Sequence, residues 1–487
     1  MPQEPADLRN LSEPTRFKRA LTLLLMTLVL PGSAQIVAGN KAVGRFVWRL
    51  LGTLLAVVVL IGVLALIWRG WTLNLLVQPG FLRFVQILLV VLAIGWAALF
   101  VDAYRLGRPL ELERGHRLTT SMADAVLVLG VVSALIWGST IVSAQADFIA
   151  SVFGDNAKSK ADKGRYNVLL LGGDSGKNRE GLRPDSLTLA SIDADTGRTV
   201  LIGLPRNMAK VPFPDGTPMD NEFPDGFQWD DCGVNCLLNG VYTYASEHKD
   251  LYPGVKDPGV LATRQAVEGI TGLKVNYHVM IDIGSFVNLI NAVGGINLDV
   301  GKRVPIGGVG SPIYGYITPG KNKHLDGYHA MWFARSRAGA TDYERMTRQK
   351  CVMTAMLNQL EPRNVLTKFQ GIAAASKQVV QTDIPAGHLG TFVDLALDSK
   401  KLKVSSFSPV PPLIQTGNPD FPLIRTKVAQ AIARSEALDK AAEDGNGDRT
   451  TAPPTTSARP KPSKKPTSTP SKPTSDVDDV ASICTAA

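Results

Sequence analysis

Three long apolar stretches dominate the first 150 residues of the chain. Each approaches the roughly 20 apolar residues that a helix needs to cross a bilayer, and a cleaved signal peptide would not be followed by two further stretches of this kind. We therefore predict three transmembrane helices, at 50–68, 84–101 and 122–144. A shorter apolar run at 21–30 is interrupted by Pro31-Gly32, and we interpret it as a re-entrant or interfacial hairpin.

Basic residues flank these stretches in a pattern that predicts their orientation. Lys and Arg precede the shorter run and the first full span, and Arg105, Arg108, Arg114 and Arg117 lie between the second and third spans. Because loops rich in Lys and Arg stay on the cytoplasmic side, all three places are predicted to be cytoplasmic. Three spans that start inside leave everything after about residue 144 outside the cell membrane.

The pattern changes at Arg165 to short apolar strands separated by helical stretches. This alternation predicts an α/β domain with a central mixed β-sheet sandwiched between helices. The first three strands are expected to form a meander, and the strands are predicted at 166–171, 186–192, 199–204, 277–281 and 296–300. A helix at 284–292 carries Phe286, Leu289 and Ile290 at helical spacing. Such a face belongs either to the plain core or to the lining of a cavity for an apolar ligand.

These patterns divide the chain into five regions. They are a cytoplasmic N-terminus with the hydrophobic hairpin (1–49), three transmembrane helices (50–145), a juxtamembrane linker (146–164), an extracytoplasmic domain (165–440) and a disordered tail rich in Pro, Ser, Thr and Lys (441–487). The net charge is +9, but Lys and Arg are spread over all regions without a basic stripe and interleaved aromatic residues. We therefore expect no nucleic acid among the partners.

Four cysteines in 487 residues exclude a disulfide-rich scaffold. Cys232 and Cys236 are close in sequence, whereas Cys351 and Cys484 are isolated, so at most one local bridge is expected. Zinc is the weaker interpretation of the close pair, because no second pair of ligands follows at zinc-finger spacing.

Two carboxylates are predicted to meet at one edge of the sheet. Asp174 ends the first predicted strand, and Arg183 and Asp185 come just before the second. Two like charges in a partly dry cleft are unfavourable unless a cation compensates them, and Mg²⁺ prefers carboxylate oxygens and bridges to phosphate. The sequence therefore predicts a Mg²⁺ site, and the alternative is that both aspartates only cap turns.

Three arginines follow or lie within predicted strands. Arg206 comes directly after the third strand, and Arg335 and Arg337 alternate within 331–337. Strand geometry would direct the guanidinium groups of Arg335 and Arg337 to one face. An unpaired guanidinium at a half-buried position costs several kcal/mol, so these arginines are expected to share an anionic ligand.

The segment that follows is predicted to be a helix with a polar face. Asp342, Arg345 and Gln349 are spaced at i, i+3 and i+7, which places them on one side. Clustered guanidinium groups and Mg²⁺ match a pyrophosphate, so the combination predicts phosphoryl transfer. The sequence has no Gly-x-x-x-x-Gly-Lys loop, no Gly-x-Ser-x-Gly elbow and no His-Glu-x-x-His helix, so nucleotide-binding, acyl-transfer and zinc-protease sites lack support.

Five strings resemble the LytR-CpsA-Psr family, in its actinobacterial type, in order and spacing. They are 167–174, 183–186, 204–206, 282–295 and 335–349, and the resemblance covers about residues 165–360. It implies a phosphotransferase that moves a glycopolymer from a polyprenyl-pyrophosphate carrier to peptidoglycan, with Mg²⁺ as cofactor. It also implies that a hydrophobic cavity takes the polyprenyl chain. The family fold, a central sheet between helices, is similar to the fold predicted above.

The resemblance also implies roles for the candidate residues. Asp174 and Asp185 would hold Mg²⁺, and Asp174, Arg206, Arg335 and Arg337 would form the catalytic centre. The implied pyrophosphate-binding residues are Arg183, Arg206, Arg335, Arg337, Arg345 and Gln349. Two alternatives use the same site: a pyrophosphatase with water as the acceptor, and a non-catalytic protein that binds polyprenyl pyrophosphates and regulates assembly of the cell envelope.

The chain departs from the family pattern at two positions. Ser175 stands where the family often has Arg after the first Asp, so a phosphate contact is missing or supplied from elsewhere. Asn207 stands where the family usually has Asp, and Asn cannot act as a general base. The insert at 213–238 resembles actinobacterial inserts, and its predicted extracytoplasmic location leads us to expect a disulfide between Cys232 and Cys236.

Overall fold

The computed structural model describes residues 12–76, 78–153, 159–173, 184–308, 311–359, 380–443, 478–479 and 484. These residues belong to two compact units. One contains Met1–Ala150 with Leu389–Thr391, and the other contains Ser151–His388 with Phe392–Ala487.

The first unit is helical. Its helices are α1 (Glu13–Val29), α2 (Ser33–Ala38), α3 (Lys41–Ile67), α4 (Arg69–Leu76), α5 (Pro79–Leu106) and α6 (Arg114–Val152), with a short 3₁₀ turn at Pro109–Glu111. Among the described residues, α3, α5 and α6 are long and apolar enough to cross a membrane. They contain the three predicted stretches apart from Trp68, which follows the end of α3. These helices fit association with a membrane.

The predicted break at Pro31-Gly32 separates α1 from α2. Gly32 has a φ of 87°, a left-handed conformation that favours glycine. The two helices pack on α5, where the indole N–H of Trp96 donates to the backbone oxygen of Thr27 over 3.1 Å and the amide of Gln35 donates to that of Leu99 over 3.0 Å. The hairpin is therefore present, and its re-entrant or interfacial position stays a prediction.

The second unit is an α/β domain. Its helices are α7 (Pro218–Glu222), α8 (Val241–Glu247), α9 (Pro258–Thr271), α10 (Ile283–Val293), α11 (Gly327–Arg335), α12 (Asp342–Gln359), α13 (Leu389–Ser399) and α14 (Phe421–Glu443). Its strands are β1 (Arg165–Gly173), β2 (Pro184–Asp193), β3 (Thr199–Leu204), β4 (Tyr277–Asp282), β5 (Ile296–Val300), β6 (Val304–Gly307), β7 (Ile313–Ile317), β8 (Gly320–Leu325), β9 (Val380–Thr382), β10 (Ser405–Phe407) and β11 (Asp478–Asp479).

The central sheet is mixed, as predicted. Its order in the described residues is β11-β10-β3-β2-β1-β4-β9. The first three strands form the predicted antiparallel meander, and β4 is parallel to β1 on its other side. Two smaller antiparallel pairs, β5 with β8 and β6 with β7, lie outside this sheet.

Alternate side chains of the meander pack on opposite faces of the sheet. On one face Leu169, Leu189 and Ile202 are fully buried in a core shared with α9 and α14. Burying each such side chain stabilises the fold by about 1.5–3 kcal/mol. Leu170 and Leu201 point to the other face, towards a cavity. The sheet therefore lies between helical layers, which confirms the predicted fold class.

The predicted strand at 331–337 is wrong, because these residues end a helix. Asp326 caps α11, and its carboxylate accepts from the backbone N–H of His329 over 2.8 Å. Ala330 and Phe333, one turn apart on this helix, are both fully buried in the second core of the domain. The cap and this i, i+3 burial stabilise a helix, whereas the alternation of Arg335 and Arg337 indicated a strand.

The end of the chain also differs from its prediction. Asp478–Asp479 pair with β10, and Cys484 forms a disulfide with Cys351 of α12. The disorder predicted for 441–487 therefore does not extend to these residues, and α14 reaches Glu443. One local bridge forms, as expected, between Cys232 and Cys236. The bridge between Cys351 and Cys484 was not predicted, because a partner 133 residues away leaves no local pattern.

Candidate functional site

The backbone brings Arg206 to Asp185. Gly172 pairs with Ser186 and Gly173 pairs with Pro184, so Asp185 is an extra residue at a β-bulge. A bulge redirects a side chain from the regular alternation of a strand. One nitrogen of Arg206, Nη1, donates to Asp185 Oδ1 over 2.5 Å.

A second carboxylate connects this pair to α12. Arg206 Nε donates to Asp342 Oδ2 over 3.4 Å, and Arg345 Nη2 donates to the same oxygen over 3.2 Å. Arg345 also donates to the backbone oxygen of Asp185 over 3.2 Å. Two guanidinium groups and two carboxylates therefore form one connected network.

Arg345 is the most enclosed member of this network, with 1% of its surface exposed. Its Nε has no hydrogen-bond partner among the described residues, although buried polar atoms are usually paired. A buried donor without a partner is costly, and an anionic ligand would satisfy it. Arg345 is thus prepared to bind an anion.

The pKa of Arg345 is lowered, whereas the pKa of Arg206 is raised. Burial lowers the pKa of Arg345, the Asp342 carboxylate opposes this, and the positive charges of Arg206 and Arg337 lower it further. Burial also acts to lower the pKa of Arg206, but its ion pairs with Asp185 and Asp342 outweigh this and raise it. Both side chains stay protonated at neutral pH, and positive charge is concentrated around Arg345.

Arg335 and Arg337 lie at the end of α11 and in the loop after it. Arg335 is the last residue of the helix, lines the cavity and has its Cζ 5.9 Å from the centroid of the Trp332 ring. Arg337 is half-buried, and its charge acts on Arg345. The structure therefore places both arginines beside the network, from a helix end and a loop rather than from one strand face.

Gln349 lies one turn beyond Arg345 on α12. Its Oε1 accepts a hydrogen bond from the hydroxyl of Ser186 over 3.2 Å, which ties the helix to β2 beside Asp185. Asn207 follows Arg206, and its amide nitrogen donates to Thr416 over 3.4 Å. Its Oδ1 is buried without a hydrogen-bond partner among the described residues.

A cavity of about 550 Å³ begins at this network and continues under the sheet. Its polar end is lined by Asp185, Ser186, Arg335, Arg345 and Gln349. The rest of the lining is almost entirely apolar, and its size lies within the ~300–1,000 Å³ of ligand-binding pockets. The cavity therefore joins an end lined by arginines to an apolar interior.

The cavity follows β2 along its length. Asp185 lies at its polar end, and Ile192, seven residues further along β2, lies at the other end together with Thr199. At about 3.3 Å per residue, this separation is roughly 23 Å. We call the end at Ile192 and Thr199 the far end.

The apolar face of α10 was predicted to belong either to the core or to the lining of a cavity, and the structure shows both. Ile290 is fully buried in the second core of the domain, whereas Phe286 and Leu289 line the cavity. The same face therefore contributes to the core and to the cavity wall.

Two predicted site residues, Asp174 and Arg183, lie outside the described residues, as does Ser175. Gly173 and Pro184, the residues that precede the two predicted Mg²⁺ ligands, are cross-strand partners. Asp185 provides a half-buried carboxylate whose Oδ1 is bonded to Arg206. A carboxylate beside an anion-binding arginine cluster is a donor type that Mg²⁺ accepts.

Sequence reasoning noted Asp342 on the polar face of its helix but did not place it in the site. The available signal was the i, i+3 spacing of Asp342 and Arg345, and these two residues form an ion pair in the structure. Ser186 was also missed, and its position directly after Asp185 was the available signal. The expected pair Cys232 and Cys236 forms a disulfide in the insert.

The sequence of the chain matches the model of a known protein family. The model of the LytR_cpsA_psr family matches residues 140–417, which is more than half of the chain. The chain is 26% identical over 242 residues to the cell wall biosynthesis protein LcpA of Corynebacterium glutamicum, covering 46% of this chain and 45% of that protein. It is 27% identical over 234 residues to the polyisoprenyl-teichoic acid–peptidoglycan teichoic acid transferase TagU of Oceanobacillus iheyensis, covering 48% of this chain and 63% of that protein. The chain thus spans about half to two thirds of the length of these relatives.

Similar structures have also been solved. TagV of Bacillus subtilis is 22% identical, with a TM-score of 0.40, and the match covers 55% of this chain and 97% of TagV. A LytR-Csp2A-Psr enzyme from Actinomyces oris is 18% identical, with a TM-score of 0.38, and the match covers 57% of this chain and 94% of that enzyme.

Proposed function

The chain belongs to the LytR-CpsA-Psr family, and from this we propose that it transfers a glycopolymer, as a phosphoglycosyl unit, from a polyprenyl-pyrophosphate carrier to peptidoglycan. Relatives named for the transfer of polyisoprenyl-teichoic acid to peptidoglycan support the reaction class.

The observation that carries the proposal is the junction of the arginine network with the apolar cavity. A polyprenyl pyrophosphate combines a dianionic or more highly charged head with a long hydrocarbon tail. Arg335 and Arg345 supply donors at one end of the cavity, and the apolar lining continues roughly 23 Å from Asp185 towards Thr199. Both halves of such a donor therefore have a matching surface.

The arginines would act mainly by positioning and by electrostatic stabilisation. A hydroxyl oxygen of the acceptor sugar forms a bond to the phosphorus that carries the glycan, and the bond from this phosphorus to the polyprenyl phosphate breaks. The proton of the hydroxyl passes to the released phosphate or to water. Arg345 and Arg337 stabilise the negative charge that grows on the departing oxygen, because preorganised donors in a half-buried site need no reorganisation.

Mg²⁺ is part of the proposal, with Asp174 and Asp185 as its protein ligands. When bound, the ion would neutralise charge on the pyrophosphate. Asp185 is held by Arg206 over 2.5 Å, so its carboxylate has a fixed position. Asn207 cannot accept the proton of the acceptor hydroxyl, so we assign it no role as a base.

The proposed location is the cell membrane, with three spans and the α/β domain outside. The helices α3, α5 and α6 are the proposed spans, and Arg105, Arg108, Arg114 and Arg117 lie at the facing ends of α5 and α6 and in the segment between them. Loops rich in Arg stay on the cytoplasmic side. An extracytoplasmic domain would lie on the same side as peptidoglycan.

The testing experiment uses the full chain purified in detergent. Mass spectrometry of the retained lipid identifies the donor, and a labelled lipid-linked glycan is then offered with peptidoglycan oligomers and Mg²⁺. Wild type is expected to join label to peptidoglycan, Arg337→Ala and Asp174→Ala to lose this activity, and Arg425→Ala, on the exposed surface of α14, to keep it. Free phosphorylated glycan would indicate a pyrophosphatase, and retained lipid without turnover at any Mg²⁺ concentration would indicate a non-catalytic protein.

A further inference from the structure

The ribbon formed by β6 and β7 has one buried and one exposed face. Val304, Ile306 and Ile317 on its inner face are at least 94% buried in the second core of the domain. Tyr314 and Tyr316 are 70% and 42% exposed. Tyr314 is the extra residue at a β-bulge, since Ile306 pairs with Gly315 and Gly307 pairs with Ile313, and Tyr316 lies two residues further along the same strand.

Arg303 fixes one of these rings. Its guanidinium carbon lies 3.5 Å from the centroid of the Tyr316 ring, within the range of a cation–π contact. Pro305 is the cross-strand partner of Tyr316. The outer face is therefore a small platform of flat, rigid side chains bordered by a positive charge.

The ribbon borders the arginine network at two points. Lys302, just before β6, donates to Glu344 in the first turn of α12 over 2.9 Å. Gly308, just after β6, lies so close to Ala338 that a Cβ on the glycine would be 2.6 Å from the Cβ of Ala338. Ala338 follows Arg337, so one end of the ribbon adjoins the loop that carries this arginine.

We propose that this outer face binds the acceptor glycan chain, an inference that rests on the proposed function. Sugar rings present apolar C–H faces, and exposed tyrosines provide large amphipathic contact surfaces with little loss of conformational entropy. Peptidoglycan chains carry carboxylates on their peptide stems. Arg303, Lys321 and Lys323, all next to the ribbon in sequence, complement that charge.

A lipid surface is the competing occupant of a face that combines tyrosine and arginine. The exposed large apolar side chains of the ribbon are Ile313, Tyr314 and Tyr316. Membrane binding of a surface element scales with its buried apolar area, and this patch is small compared with an amphipathic helix. The contact of the ribbon with the loop after Arg337 favours the glycan.

Affinity for glycan is measured on the full chain in detergent with two probes. One is chitotetraose, a neutral chain of N-acetylated sugars, and the other is uncrosslinked peptidoglycan glycan that carries peptide stems. Tyr314→Leu is expected to raise the Kd for both by about tenfold, and Tyr314→Phe to keep it within about twofold, because stacking needs the ring and not the hydroxyl. Arg303→Met is expected to weaken the acidic probe more than the neutral one, because it removes a positive charge as well as the contact with the Tyr316 ring. Val234→Ala, at a side chain that is 68% exposed in the insert, is the matched control and should bind both probes like wild type.

A transfer assay on the same variants separates this proposal from the proposed function. Tyr314→Leu is expected to raise KM for the acceptor with unchanged kcat and unchanged retention of the lipid donor. Wild type that binds glycan without transferring anything would support the glycan site and overturn the function. Tyr314→Leu that binds and transfers like wild type would overturn the glycan site alone.

The lipid alternative has its own measurement. The four native cysteines are paired in disulfides, so Tyr314→Cys offers a single thiol for an environment-sensitive fluorophore. In proteoliposomes of the full chain, the label should be quenched by a water-soluble quencher and shielded by added glycan. Quenching by bromolipids instead would overturn the proposal in favour of a lipid surface.

Discussion

The guanidinium group of Arg206 lies 2.5 Å from the carboxylate of Asp185 and uses a second nitrogen, Nε, to contact Asp342. A planar guanidinium can serve two carboxylates at once, whereas a lysine ammonium is a point charge on a flexible stem. Arg206→Lys should therefore lower the free energy of unfolding by about 1–3 kcal/mol. It should also slow transfer of a lipid-linked glycan by about 100-fold or more, as measured by denaturant titration and product analysis.

Arg264→Lys is the matched control for this change. Arg264 is similarly half-buried and its ion pair with Asp383 spans 3.2 Å, but it lies outside the network of Asp185, Arg206, Asp342 and Arg345. It should lose a comparable amount of stability and keep its transfer rate. Equal losses of transfer in both variants would assign the effect to unfolding rather than to the site.

The far end of the cavity predicts a dependence on the length of the donor tail. Ala396 on α13 lines the cavity, and a phenyl group there would occupy space that a long polyprenyl chain needs. Ala396→Phe should raise KM by about tenfold for a long-chain donor and leave a donor with two or three isoprene units unaffected. Val393→Phe, at an exposed position of the same helix, should change neither value. Equal KM changes for long and short donors would show that the tail does not reach this end.

The sequence predicted those parts of the sheet whose pairing is local. Between β2 and β3, Asp193 Oδ1 accepts hydrogen bonds from the backbone N–H groups of Asp195 and Thr196, so the turn residues themselves set the meander. The three-residue strands β9 and β10 and the two-residue β11 were not predicted. Their pairing depends on partners far away in sequence, and runs this short carry no periodic signal.

The candidate site was predicted residue by residue but not as an arrangement. Charged residues at strand ends indicated Asp185 and Arg206, and helical spacing indicated Arg345. The sharing of Asp342 by two arginines depends on the packing of α12 against the ends of β2 and β3. No local pattern contains that contact, and the bulge at Asp185 is equally a property of the paired strands.

Acid should weaken the connection between the ribbon and α12. The hydrogen bond from Lys302 is the main cause that holds the pKa of Glu344 below its ordinary value of 4.5. The hydrogen bond from the backbone N–H of Thr341 is the second cause. A lowered carboxyl pKa stabilises the folded state above 4.5, and this stability is lost as the pH falls through the folded-state pKa. The gap in unfolding temperature between wild type and Glu344→Gln should therefore be constant above pH 4.5 and close below it. A gap in unfolding temperature that is independent of pH would contradict the ion pair. High salt should narrow the gap above pH 4.5, because the ion pair is partly exposed.

The two disulfides should differ in what they contribute to stability. The residues of one are separated by 4 positions and those of the other by 133. Loop-closure entropy predicts a stabilisation of about 2 kcal/mol for the short loop and about 5 kcal/mol for the long one. Replacing Cys351 and Cys484 by serine should therefore cost about 3 kcal/mol more than replacing Cys232 and Cys236, as measured by denaturant titration without reductant. Because Cys351 follows Gln349 closely on α12, the long-loop variant should also bind lipid donor less tightly. A larger loss from the short-loop variant would mean that constraint of the unfolded chain is not the dominant effect.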